Sequence, residues 1–257
     1  MKRSLILLYA TMLSSLTFSQ VEIIAHRGAS WLAPENTVAS AKLAWEKGAD
    51  AVECDIWLTK DNRIICSHDG NTKRTTGQDF NVSETTSKVL RKLDAGSFKD
   101  EKYKGEKLPF LEELIKTMPQ GKELVVEIKC KSEILPWLQK VINKYEKTGK
   151  FVFICFDFQT ITDTKKTFPG NKCYWLCSNG ELLDKTFESV PGAGLEGVSL
   201  NYSLINGDVM KKAESLRLEV YSWTVDDPAE ARRLIALGVK GITTNRPGWL
   251  EEQAGIR

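Results

Sequence analysis

The sequence predicts a single α/β domain, a (β/α)8 TIM barrel that is somewhat irregular and carries a small insertion after its third strand. Three observations lead there. Short runs rich in β-branched and aromatic residues alternate with stretches of helical periodicity, the pattern of a parallel sheet. A length of 257 residues suits one barrel. No Gly-rich phosphate loop follows the first strand, as it would in an open doubly wound sheet.

The chain begins with an address rather than a fold element. Lys2 and Arg3 precede an uncharged run from about Ser4 to Leu16, followed by Thr17-Phe18-Ser19-Gln20. That order fits a secretory signal peptide at 1–19, cleaved near Ser19, which makes 20–257 an exported protein, periplasmic or secreted. The run is short for a membrane span, and no cysteine follows it to carry a lipid, so no stable membrane anchor is expected.

Strands are expected at Glu22–His26, Ala51–Ile56, Arg63–His68, Glu123–Lys129, Phe151–Phe156, Lys172–Leu176, Glu196–Leu200, Glu219–Thr224 and Lys240–Thr243. These are nine candidates for eight barrel places, so one is expected to be misread. The connection Ile56–Asn62 is also too short for a helical crossover, which places the irregularity there. Clear helices fall at Thr37–Lys47, Phe110–Met118, Ile134–Thr148 and Pro228–Leu237. Thr37 caps the first and Gly48 closes it, while Asp226-Asp227-Pro228 opens the last with acidic residues at the positive end of the helix dipole. Residues 69–109 are polar, hold one helix near Ser83–Leu93, and read as an insertion over the active end of the barrel.

Composition excludes several function classes. The formal charge of +2 comes entirely from Lys2 and Arg3 once the leader is removed, so the balanced mature chain has no global reason to bind nucleic acid or an anionic membrane. The cysteines at 54, 66, 130, 155, 173 and 177 show no C-x-x-C spacing. They are expected as free, buried thiols. Even Cys173 and Cys177, if on one strand, stand about 13 Å apart, too far for a bridge.

The chemistry gathers at the strand ends, where barrels of this kind place functional side chains. The sequence has only two histidines, and each closes a strand candidate: His26, followed by Arg27, and His68. Glu53 and Asp55 alternate along the second strand, so they share a face that Cys54 does not. Glu127 and Lys129 do the same on the fourth strand, leaving Ile128 and Cys130 on the other face. Taken singly, each pair fits a solvent-facing strand or a surface ion pair, and each histidine fits a structural role. Their coincidence at one end of a Val/Ile-rich barrel points instead to three carboxylates around a hard cation, with two proton-transfer groups beside them.

At these residues the sequence resembles the glycerophosphodiester phosphodiesterase family. The resemblance runs through His26-Arg27-Gly28, Pro34-Glu35-Asn36-Thr37, Gly48-Ala49-Asp50, Glu53-x-Asp55, Leu58-Thr59-Lys60-Asp61, His68-Asp69 and Arg74-Thr75-Thr76-Gly77. It continues through Leu93-Asp94-Ala95-Gly96, Leu108-Pro109, Leu111-Glu112-Glu113, Glu127-Ile128-Lys129, Trp223-Thr224-Val225 and Gly241-Ile242-Thr243-Thr244. It implies a (β/α)8 barrel with an insertion after the second histidine strand. It further implies hydrolysis of glycerophosphodiesters to glycerol 3-phosphate and an alcohol. By the same resemblance His26 and His68 are general acid and base, in either order. Glu53, Asp55 and Glu127 hold one divalent ion, Mg2+ or Ca2+. Arg27 and Lys129 contact phosphate, and Trp223 walls the substrate site, with Phe156 as a weaker counterpart.

Two departures stand out. Asp226 replaces the Asn that commonly follows Trp-Thr-Val, and Asn245 replaces the Asp that commonly follows the final Thr. Neither is expected to touch the histidines or the carboxylate ligands, so both are expected to bear on substrate preference or local hydrogen bonding. Two other readings remain at this stage: a lysophospholipase D or sphingomyelinase D type acting on bulkier lipids, and a barrel that binds without turnover. The sequence leaves the alcohol headgroup, the metal and the oligomeric state open.

Overall fold

The computed structural model describes residues 21–256, so the leader expected at 1–19 lies outside the described residues. Nine strands are found among them: β1 Glu22–Ala25, β2 Ala51–Leu58, β3 Ile64–Cys66, β4 Glu123–Ile128, β5 Lys150–Cys155, β6 Lys172–Cys177, β7 Gly197–Asn201, β8 Glu219–Trp223 and β9 Gly241–Thr244. All but β3 pair in parallel, and β1 pairs with both β2 and β9, which closes a ring of eight.

The expectation of one misread strand is therefore corrected. All nine candidates are strands, and the ninth stands outside the ring. β3 returns antiparallel on the far end of β2, pairing Ile56 with Cys66 and Leu58 with Ile64. The turn between them is held by Thr59 N–H to Arg63 O at 2.9 Å and by Asn62 at φ 60°. Asparagine tolerates that left-handed backbone, as a three-residue hairpin loop requires. A strand pair joined by a tight turn needs no helix, which is how the short connection is accommodated.

Strand alternation sorts the side chains into two layers. Ile24, Ala51, Val125, Val152, Ile154, Tyr174, Leu176 and Tyr221 fill the barrel interior. A void of about 20 Å³ among them leaves room for roughly one water, so the barrel is a packed core and not a pore. Their alternates, among them Cys54, Val126, Phe153, Trp175 and Val198, pack outward under the helices. Cys173 and Cys177 share this outer face of β6, and all six thiols are free.

The helices are α1 Val38–Glu46, α2 Lys73–Thr76, α3 Ser87–Leu90, α4 Leu111–Ile115, α5 Leu135–Tyr145, α6 Phe158–Thr167, α7 Gly180–Thr186, α8 Gly207–Ser215, α9 Pro228–Leu237 and α10 Trp249–Ala254. Thr37 caps α1 through a reciprocal box, accepting from Ser40 N–H at 3.2 Å while its own N–H donates to Ser40 Oγ at 3.3 Å. Asp227 caps α9, with Pro228 at its first position and Gly238 (φ 88°) at its end. None of the described helices is long and apolar enough to cross a membrane.

The stretch 69–109 has its own small core of Ile65, Val82, Leu90, Leu93, Ala95 and Leu108, with Trp57 and Phe80 packed against it. The single helix expected near Ser83–Leu93 is two pieces, a 3-10 turn at Val82–Glu84 and α3. Asp61 of the hairpin separates them, accepting from Ser87 N–H and Ser87 Oγ at 2.7 Å each. A side-chain cap from elsewhere in the chain thus starts a new helix where local periodicity suggested continuity.

Candidate active site

The parallel strands open on a cavity of about 120 Å³ at their carboxyl ends, lined by His26, Arg27, Glu53, His68, Glu127, Lys129, Phe156 and Trp223 among others. Seven of the eight residues assigned from the sequence line it directly. The eighth, Asp55, joins through its carboxylate, since Glu53, Asp55 and Glu127 offer oxygens that all lie within 4.8 Å of one another.

The sheet itself brings the three together. Asp55 and Glu127 are direct partners in the β2–β4 register, and Glu53 lies two residues back on the same face. Glu53 Oε2 accepts from Arg27 N–H at 2.8 Å. Asp55 Oδ2 accepts from Asn36 Nδ2 at 2.8 Å, and Asp55 N–H donates back to Asn36 Oδ1 at 3.0 Å. Arg27 Nε stands 3.3 Å from Asp55 Oδ2. Lys129 Nζ donates to Glu127 Oε1 at 2.7 Å and lies 3.5 Å from Asp55 Oδ1.

Two buried oxygens, Glu53 Oε1 and Asp55 Oδ1, receive no hydrogen bond. Burial, with Asp55 and Glu127 close by, pushes the Glu53 carboxyl well above its usual range. Burial and Asp55 push Glu127 up to about 7. Burial works against the Lys129 charge, but Glu127 and Asp55 outweigh it and raise its pKa. Crowded, buried carboxylate oxygens without donors are the donor set a hard divalent cation takes, so the residues fit such an ion.

The histidines enter from two loops and have different partners. His26 Nδ1 lies 2.8 Å from Asn245 Oδ1, a neutral amide. Burial and the neighbouring Arg27 guanidinium press the His26 pKa down to about 4. His68 Nδ1 lies 2.7 Å from Asp69 Oδ1. Arg74 then ties the two loops together: its Nε donates to Asp69 Oδ2 at 2.6 Å, and Nη1 and Nη2 donate to the two oxygens of Glu35 at 2.8 Å each. Glu35 also accepts from Arg27 Nη1 at 3.0 Å. Burial opposes the Glu35 charge, but Arg74 and Arg27 outweigh it and hold its carboxyl at about 2. Arg27 itself adopts φ 56°, a left-handed backbone that costs about 1 kcal/mol or more and is held here by its N–H bond to Glu53.

One wall is apolar. Trp223 Nε1 donates to Ser199 O at 2.9 Å, which fixes the indole, and Phe156 meets it edge-on with ring centres 5.4 Å apart.

The sequence profile of the glycerophosphoryl diester phosphodiesterase family matches residues 26–249. The chain belongs to that family. Within the family it is similar to the glycerophosphodiester phosphodiesterase of Caldanaerobacter subterraneus subsp. tengcongensis, with 34% identity over 88% of this chain and 94% of the relative. Its fold matches an Oleispira antarctica phosphodiesterase solved with the product sn-glycerol-3-phosphate, with a TM-score of 0.86, 27% identity, and coverage of 91% of this chain and 96% of that one. It also resembles a lysophospholipase D of Rattus norvegicus, at 26% identity over 89% of this chain and 84% of the relative.

Sequence reasoning missed the residues that hold these phosphodiesterase side chains in place: Glu35, Asn36, Asp69, Arg74, Asp226 and Asn245. Four of them sit in the quoted motifs without a role, since a motif string does not say which remote loop a side chain reaches. The expectation for the two departures is corrected outright. Asn245 touches His26, and its Nδ2 donates to Asp226 Oδ2 at 2.6 Å. The two positions are 19 residues apart and meet because β9 returns beside the end of β8.

Proposed function

We propose that this chain hydrolyses glycerophosphodiesters to sn-glycerol 3-phosphate and an alcohol, with His26 and His68 as the proton-transfer pair. The observation that carries the reading is the shared cavity. Two histidines with tied Nδ1 atoms line the same 120 Å³ space as a three-carboxylate cluster and two cationic side chains.

A phosphodiester is anionic and repels nucleophiles, so the site must offset charge as it builds on the equatorial oxygens. Arg27 and Lys129 supply fixed positive charge at the mouth. Glu53, Asp55 and Glu127 would hold one divalent ion, Mg2+ or Ca2+, which when bound adds Lewis-acid stabilisation of that charge. One histidine takes the proton of the attacking hydroxyl as its oxygen bonds to phosphorus, and the other protonates the departing alcohol oxygen. The attacking hydroxyl belongs to water or to the glycerol carbon adjacent to the phosphate-bearing one, and the second route passes through a transient cyclic phosphate that water then opens. Trp223 and Phe156 face the apolar part of the substrate.

Incubation of residues 20–257 with glycerophosphocholine and glycerophosphoethanolamine, with and without EDTA, tests the reading through release of glycerol 3-phosphate. Release stopped by EDTA and restored by Mg2+ or Ca2+ is expected. No release from folded, metal-loaded protein, with choline freed from a lysolipid instead, would move the assignment to a lysophospholipase D. The export expectation forms part of the proposal, and full-length protein retained in the cytosol with its leader intact would sink it.

A further inference from the structure

Asp226 and Asn245 meet each other, and what they hold is His26. The Asp226 carboxylate accepts three hydrogen bonds: Thr244 Oγ1 and Asn245 N–H to Oδ1 at 2.8 Å each, and Asn245 Nδ2 to Oδ2 at 2.6 Å. Thr244 Oγ1 in turn accepts from Arg246 N–H at 3.1 Å, so its proton is committed to Asp226. A carboxylate can only accept, so the amide of Asn245 must turn its NH2 toward Asp226. Its carbonyl oxygen is then left facing Ser30 Oγ, which donates at 2.8 Å, and His26 Nδ1 at 2.8 Å. That oxygen has no proton to give. The ring nitrogen opposite it must therefore carry the hydrogen.

We propose that Asp226 and Asn245 are a positioning pair that locks His26 in its Nδ1–H tautomer and leaves the lone pair of Nε2 for the cavity. The side chain of asparagine is nearly symmetric in shape and would suit either tautomer. Asp226 removes the choice. The consequence rests on the phosphodiesterase reading above and assigns its two proton transfers. His26 Nε2 takes the proton from the attacking hydroxyl as the new oxygen–phosphorus bond forms. The bond from phosphorus to the alcohol oxygen breaks, and that oxygen receives its proton from His68, whose Nδ1 is tied to the Asp69 carboxylate rather than to an amide.

The chain has two histidines, so a tag-free, 15N-labelled protein gives two imidazole patterns in a long-range 1H–15N spectrum, assigned by the loss of one in H68A. The expected wild-type result near neutral pH is a His26 ring protonated at Nδ1 and bare at Nε2. In D226N two NH2 groups would oppose each other, so Asn245 turns and donates to His26. The ring then switches to its Nε2–H form, and kcat falls by about 100-fold, with a much smaller change in KM. In D226N/N245D the carboxylate at position 245 accepts from both neighbours, which restores the Nδ1–H tautomer and most of kcat. A wild-type His26 protonated at Nε2, or a folded D226N with an unchanged tautomer, would overturn the proposal. If D226N fails to fold, the wild-type spectrum and the double variant decide. The spectra need no turnover: the expected tautomers in a protein that cleaves no glycerophosphodiester would uphold the pair and reject the glycerophosphodiester substrate reading.

Discussion

Glu53 and Asp55 stand two residues apart on β2 and each keeps one buried oxygen that accepts no hydrogen bond. In metal-free protein the cluster is therefore easier to fold with protons on it. Glu127, held at about 7, and Glu53, raised well above its usual range, each contribute stability that is full below the ordinary carboxylate value and is lost as pH rises through the raised one. In EDTA the melting temperature is expected to climb as pH is lowered from about 8 to about 5. Mg2+ or Ca2+ should raise it most at the alkaline end, where the carboxylates are free to bind. E53Q removes a charged ligand and should weaken the ion by about tenfold or more in a calorimetric titration. A metal effect that does not change with pH would argue against this cluster as the site.

His26 and His68 line one cavity from loops 42 positions apart in sequence, the placement that the proposed proton-transfer pair requires. H26A and H68A are each expected to lower kcat by about 10²- to 10⁴-fold while the circular dichroism and melting curve stay close to wild type. Near-normal turnover in either variant would remove that residue from the mechanism.

Glu35 is the acid-sensitive strap between the two histidine loops. Its carboxyl is depressed to about 2, so its contribution is present above the ordinary glutamate value and is lost as pH falls from there through about 2. Arg74 is half exposed, and solvent screening reduces what the shift alone suggests to about 1–2 kcal/mol. E35Q should cost that much in urea denaturation at neutral pH and almost nothing near pH 2. An equal cost at both ends would mean that packing, not charge, carries the effect.

The barrel was legible because its signals are local. Strand alternation placed Glu53 and Asp55 on one face and Cys54 on the other without any knowledge of partners, and the structure keeps that division. Helix α9 was expected at Pro228–Leu237, opened by Asp226-Asp227-Pro228, and the structure gives those bounds. What was not legible depends on contacts between distant loops. The hairpin β2–β3 looked like a surplus barrel strand because periodicity reports burial and not pairing direction. Asp226 and Asn245 looked remote from the chemistry because each was judged against the motif next to it. Only the β8–β9 register shows that one holds the other, and that the second holds His26.

Gly28 follows the His26-Arg27 pair at φ 81°, where a Cβ would lie 2.5 Å from both the backbone carbon and Oγ of Ser40. Ser40 cannot retreat cheaply. Its Oγ donates to Arg27 O and Thr37 O, and its N–H bonds Thr37 Oγ1 in the cap of α1. G28A should therefore push α1 away from the loop that aims Arg27 and cost about 2 kcal/mol or more, combining backbone strain with overpacking. G77A is the internal control: φ is 72°, but nothing lies within 4 Å of the added carbon, so only the strain of about 1 kcal/mol remains. Urea denaturation of both variants isolates the close approach. Equal losses would show that Ser40 yields and that the tight contact does not position Arg27. A larger loss in G28A, with lower turnover in the fraction that stays folded, would place the α1 cap among the supports of the loop that carries His26 and Arg27.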